Sequence, residues 1–254
     1  MANYSINVTR DAFIVGPTTS TNWSIVRNAI NGSSVGNAAA SSNNGVASYK
    51  NISTSRFFIA RAFFIFDTST ITTAVSSATL NVYGVNTNNI NVIAVKLDSS
   101  VSVGDLDNDF VVADYDAIDG FVAGSTMLGN VTAYSQANSW SLGAFNTLTL
   151  GAAARTDIQN NNSFGIVLVS SDYDYPNTAP PNSTFRAGMN FLESGDPFIP
   201  YLSVVAEDAV SEEDELTRRR RIVRRRFGIS GTGFNELEIA SSSGLAIPRG
   251  FKQN

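Results

Sequence analysis

The stretch "FFIARAFFIFD", residues 57–67, is apolar on both of its alternating faces apart from Arg61 and the closing Asp67. Successive side chains of a strand point to opposite sides, so a strand with one wet face alternates apolar and polar residues. A segment apolar on both sides is stable only as a central strand covered above and below, or as one lying in a subunit contact. Arg61 then has to meet a carboxylate, because an unpaired buried charge is costly; Asp67 or another acid is the expected partner.

The neighbouring sequence repeats this β signature in shorter pieces. "ATLNVYGV" (78–85), "INVIAVKL" (90–97), "NTLTL" (146–150), "FGIVLVS" (164–170) and "PYLSVV" (200–205) are β-branched or aromatic runs, with weaker ones at 4–9 and 183–188. Asn, Ser and Gly clusters separate them, and helical periodicity is nearly absent. One helix is expected over "AAARTDIQ", 152–159, crossing an end of the fold, and 31–45, "NGSSVGNAAASSNNG", reads as a surface loop. With 43% apolar and only 15% charged residues in 254, the chain has material for one large core. The expected fold is all-β: a two-sheet antiparallel jelly-roll-type sandwich over 1–206, followed by a C-terminal extended or helical arm.

The chain contains no Cys and no His. That removes disulfides, thiolate nucleophiles, Ser-His-Asp constellations and ordinary zinc sites, so no catalysis is expected. No apolar run approaches the roughly 20 residues of a membrane-spanning helix, and "MANYSINVTRDAF" lacks the basic and apolar regions of a signal peptide. Membrane association is not expected.

The chemistry changes near residue 206. Residues 1–206 hold 8 basic and 14 acidic residues, whereas 207–254 hold 9 and 8, sharply segregated. Acids at 207–215 precede Arg218, Arg219, Arg220, Arg221, Arg224, Arg225 and Arg226. Ser211 followed by three acids resembles a helix start and the arginines before Gly228 a helix end. Residues 207–228 are therefore expected to form an acidic-then-basic, helical linker. Residues 229–254 are Gly/Ser-rich with scattered apolar anchors and read as an extended arm. Arg218–Arg221, Arg224–Arg226, Phe227 and Phe234 are the candidate assembly residues, since arginine suits buried interface pairs and the body is acidic. Phosphate contact by the arginines is a less favoured reading, and a self-screened solvated helix is the bland one.

Two further constellations carry candidate chemistry. Asp105, Asp107, Asp109 and Asp116 have the spacing of the first three and the last ligand of an EF-hand-like calcium loop, although Phe110 stands where that loop needs Gly. A structural calcium ion is weighed there against a solvated acidic loop; no other cofactor is expected. Trp23, Trp140, Tyr173 and Tyr175, with Tyr115, are candidates for a flat platform on which a host surface glycan would stack, against the alternative that Trp140 is core.

The run "RAFFIFDTSTITTAVSSATLNVYG", 61–84, resembles the signature of the DNRLRE family of β-sandwich domains, through Arg61, Phe66, Asp67, Ser69, Ile71, Ser77, Ala78, Thr79, Leu80 and Tyr83. "FRAGMNFLESGDPFIPYLSVV", 185–205, is similar to that family's closing strands. The resemblance covers about 55–206 and implies a sandwich. More broadly, a Cys-free, Asn/Thr-rich sandwich with "YDAIDGF" and "YDYPNTAPP" segments resembles structural proteins of tailed-phage virions. This implies a head decoration, collar or tail component, made in the host cytoplasm and held in the virion by contacts with copies of itself and with other virion proteins. The alternative function is a non-catalytic carbohydrate-binding module of a surface or secreted assembly.

Overall fold

A computed structural model of the chain describes residues 1–99, 101 and 109–208. Contacts divide the chain into two compact units, Met1–Ala209 and Val210–Asn254; the architecture below belongs to the first. The elements in order are β1 (Ala2–Val15), α1 (Trp23–Arg27), β2 (Ser34–Gly36), β3 (Ser41–Lys50), β4 (Phe57–Asp67), β5 (Val75–Asn88), β6 (Asn91–Lys96), β7 (Asn138–Ser139), β8 (Phe145–Thr149), α2 (Ala152–Asn160), β9 (Ser163–Ser170), β10 (Arg186–Asn190) and β11 (Tyr201–Ala206).

The fold is all-β and sandwich-like, and its two layers belong to one antiparallel network. In the front layer, Ala2–Asn7 of β1 pairs with β11, β11 with the first half of β5, and β5 with β8. In the back layer, the rest of β1 pairs with β4, β4 with β9, β9 with β6 and β6 with β7. Strands β3 and β10 carry the network from β4 to the far half of β5. Two long strands, β1 and β5, thus serve both layers. In β1 the change of partner coincides with a register shift between Val8 and Arg10. The residue between them, Thr9, donates its hydroxyl to the Ile65 carbonyl at 2.9 Å. A bulge of this kind bends and twists a strand, which lets one strand leave a sheet and enter the next.

Alternation along β4 explains why it is apolar throughout. Ala62, Phe64 and Phe66 face the front layer and join Leu80, Val82, Leu148, Leu202 and Val204 in the main core. Phe57, Ile59, Phe63 and Ile65 face the other way into a second core with Ile93, Val95, Val167 and Val169. That core is closed by a cap of α1 and the loops around Phe110, Tyr115, Ile118 and Met127. Of the two readings open for this segment, the central strand covered on both sides is the one the fold adopts. The α2 helix lies where a helix was expected and buries Ala154 and Ile158 against the main core.

The expected loop at 31–45 is a correction: β2 and the start of β3 lie within it. Asn, Ser and Gly are weak strand formers, but β3 has β4 on one edge and β10 on the other. Tertiary pairing supplies the ladder that local propensity does not.

Candidate interaction surfaces

Among the described residues, two arginines and an aspartate meet wholly inside the fold. Arg61 projects from β4 into the second core, where its Nε and one terminal nitrogen donate to the two Asp174 oxygens at 2.7 and 3.0 Å. Its remaining donors reach the Tyr115 carbonyl at 2.8 Å and the Arg27 carbonyl at 3.2 Å. The guanidinium also lies 4.3 Å from the Tyr115 ring centre. Arg27, at the end of α1, shares the same carboxylate at 3.2 Å and sits over Phe121. Burial alone would lower both arginines. At Arg61 the Asp174 charge overcomes that and holds the group above its ordinary value, whereas Arg27 ends below it. The Tyr115 hydroxyl, pushed up mainly by burial, donates to the Val26 carbonyl. The partner of Arg61 is therefore Asp174 rather than Asp67, whose carboxylate instead accepts from the Ser69 amide. Arg27, Arg61 and Asp174, with the Tyr115 and Phe121 rings against the guanidiniums, lock the cap onto the sheet.

The cap's outside has a different character. Among the described residues, six of the ten large apolar side chains that remain exposed belong to it: Ile25, Ile30, Val111, Val112, Val122 and Leu128. The segments carrying them are joined, since the Gly32 amide donates to Val112 and the Asn177 side chain to Gly124. Asp98, Asp109, Asp114, Asp116 and Asp119 lie on the same loops. Burial raises Asp116 above the usual carboxylate range, and the charges of Asp98 and Asp114 add to it. The cap surface is thus both apolar and acidic.

The front layer's outer face is the third surface. Tyr83 and Phe145 stand opposite each other on β5 and β8, with ring centres 5.4 Å apart. Phe198 packs on Tyr83 at 4.4 Å and Tyr201 on Phe145 at 5.5 Å. Tyr83, Phe145 and Tyr201 are half-buried and Phe198 is exposed; beside them, Asn81 pairs in register with both Tyr201 and Thr147, and the Thr147 hydroxyl donates to its side-chain oxygen at 2.8 Å. Ser203, Thr149, Ser5 and Asn7 are exposed on the same face. No Asp, Glu, Lys or Arg occurs in the paired segments 2–7, 75–83, 145–149 and 201–206.

Two open clefts border α2 and β8. One of about 330 Å³ contains Lys96, Tyr134 and Asp157. Asp157 accepts from the Tyr134 hydroxyl and lies 3.1 Å from the Lys96 ammonium, which fastens α2 to β6. The other, about 540 Å³, runs beside β8 between Gln136, Asn138 and Thr149.

The residues singled out from the sequence are distributed differently from the expectation. Trp140 belongs to the main core, donating to the Gly188 carbonyl at 2.9 Å. Trp23 is buried in the second core on the far side of the sheet, donating to Asn177 at 3.1 Å. Tyr173 and Tyr175 pack partly buried around that same second core. These four do not share a platform, because the large indoles are worth more inside than out. The rings that do share an exposed face are Tyr83, Phe145, Phe198 and Tyr201. Their signal lay in the alternation of β5, where Thr79, Asn81 and Tyr83 share one parity.

Asp109 is exposed and Asp116 half-buried; Asp105 and Asp107 lie outside the described residues. Among the described residues no three acidic side chains gather closely enough to hold a metal ion. Arg218, Arg219, Arg220, Arg221, Arg224, Arg225, Arg226, Phe227 and Phe234, with the linker and arm that contain them, also lie outside the described residues. No helix of the described residues is long and apolar enough to cross a membrane. No protein-family model matches the chain, and no curated protein matches it either.

Proposed function

We propose that this chain is a non-catalytic structural protein of a tailed-phage virion, a head decoration, collar or tail component that works by protein–protein assembly. The observation that carries the assembly reading is the cap, which exposes six large apolar side chains among five aspartates. Large apolar side chains left exposed on one part of a fold mark interaction sites, and the acids on the same loops favour a basic, apolar partner. The C-terminal sequence has that chemistry, with Arg218–Arg221 and Arg224–Arg226 beside Phe227 and Phe234. Arginine is enriched in interface cores because its planar fork pairs with carboxylates and is weakly hydrated. The arm of one copy would then fasten the cap of a neighbour. The virion setting rests on the sequence resemblance.

The test is light scattering of the full-length protein and of a version ending at Asp208, at low and high salt. The cut spares Glu207, whose amide donates to the Ala74 carbonyl, and Asp208, which faces the amino terminus. Assembly by the full-length protein alone, weakening with salt, is the expected result. A monomer in both forms would sink the reading.

A further inference from the structure

We infer that the free edge of β8 takes up an extended, acidic peptide segment of a partner protein as an added strand. The residues involved are separate from those of the cap, so the two surfaces are independent.

Among the described residues, β8 pairs with β5 alone. The Leu150 amide donates to the Ala78 carbonyl, and the Ala144 carbonyl accepts from the Gly84 amide. Backbone groups alternate sides along an antiparallel strand, so the even-numbered residues of β8 are committed to β5, while Phe145, Thr147 and Thr149 turn their N–H and C=O groups outward. The Thr147 carbonyl accepts from the Asn138 side chain at 3.2 Å, a donor placed where a neighbouring strand would supply a backbone N–H. Beyond the strand, the Gly151 amide donates to the Tyr134 carbonyl at 2.7 Å, and there the chain closes the edge with its own residues.

Exposed edges in folded proteins are blunted by charge, proline or a bulge, because an unpaired row of backbone groups invites another chain. The β8 strand has none of these. Its sequence is Phe-Asn-Thr-Leu-Thr, and its register with β5 runs without a shift from Phe145 to Thr149. Beside it opens the cleft of about 540 Å³ that residues 136–138 share with this edge. Buried Leu148 and Leu150 line it from within, and exposed Thr147 and Thr149 from the outside. An added strand points alternate side chains to these two sides, so a segment that alternates apolar and polar residues fits it.

One charge narrows the occupant further. Arg155 is the only charged side chain that lines the cleft among the described residues. It donates to the Leu150 carbonyl at 3.2 Å and makes no ion pair there. Its remaining donors suit a carboxylate. A second copy of the chain supplies none through the same edge. In an antiparallel β8–β8 pair each Arg155 lies beside the start of the other copy's strand, and residues 141–145 hold no acid.

The experiment selects peptides from a random library against the immobilised full-length protein and titrates them, fluorescently labelled, by polarisation. At least one selected family should alternate β-branched with polar residues and carry Asp or Glu. It should bind about tenfold more weakly to Thr147→Pro, which removes an outward donor, and to Arg155→Glu. Because proline also fixes φ at its site, Arg155→Glu is the deciding variant, and exchanging the peptide's acid for lysine should restore binding to it. Selected peptides without an acid, or equal binding of every selected peptide to the parent and Arg155→Glu, would overturn the inference; the second is the result if Arg218–Arg221 and Arg224–Arg226 hold the acids instead. Failure to select any peptide would overturn it too. So would light scattering in which Thr147→Pro dissolves an oligomer, because β8 would then pair with a second copy.

Discussion

Asp174 is the residue on which the cap depends. Its carboxylate is the shared anion for two buried guanidiniums, and removing one partner of a buried ion pair leaves an uncompensated charge at a cost of about 3–5 kcal/mol. Asp174→Ala should therefore lower unfolding stability by that amount in urea titrations, while Asp67→Ala, at a half-exposed site, should stay within about 0.5 kcal/mol of the parent. Asp11 offers a pH-dependent counterpart. It is buried on β1, one oxygen accepting from the Leu192 amide at 2.8 Å, and burial pushes its carboxyl from 3.8 up to about 8. The folded state thus holds this proton more tightly than the unfolded chain. The resulting stabilisation is complete below the unfolded value and is lost as pH rises toward about 8, at up to about 1.4 kcal/mol per pH unit. Asp11→Asn, which retains an acceptor for Leu192, should flatten that decline, and denaturation curves at about pH 5 and pH 8 would show it. That Arg61 needed a carboxylate was readable from its apolar neighbours. That the carboxylate is Asp174 was not, because the two are 113 positions apart and only the loop following β9 brings them together.

At the scale of elements, β1 and β5 are the unusual pieces, each long enough to serve both layers. The handover in β5 occurs near Gly84, whose amide donates to Ala144 and whose carbonyl accepts from Gly143. A Cβ at Gly84 would run into the Ser141 carbonyl oxygen and crowd Asn146 and Trp140. Gly84→Ala should accordingly destabilise by about 1–3 kcal/mol, the usual cost of overpacking, and calorimetry would register it as a lowered Tm. The sequence showed β4, β6, β9 and β11 clearly, since each is a dense β-branched or aromatic run. It hid β3, whose early residues Ser41 and Ser42 hold their place by pairing with Asn190 and Met189 of β10 rather than through their own preferences. It also gave no sign that the strands would close into one network, because that follows from the bulge at Thr9 and the length of two strands, which hydrophobic pattern does not encode.

At the scale of the whole molecule, the described residues leave an apolar and acidic cap, an aromatic face whose paired segments carry no charge, and two open clefts beside α2 and β8. If the cap is the assembly surface, Leu128→Lys, at a position 66% exposed, should weaken oligomers measured by light scattering and leave Tm within about 1–2 °C of the parent, since surface substitutions rarely exceed ~0.5 kcal/mol. By itself the amino-acid sequence determined the class of fold, a strand apolar on both faces at 57–67, a helix over 152–159 and the lack of imidazole and thiol chemistry, because these follow from residue identity and alternation along a short window. Tertiary structure alone decided which aromatic rings face water, which acid meets Arg61 and which loops build the cap. Those outcomes depend on competition between distant segments for the same buried volume, and both indoles went inside, leaving Tyr83, Phe145, Phe198 and Tyr201 at the surface.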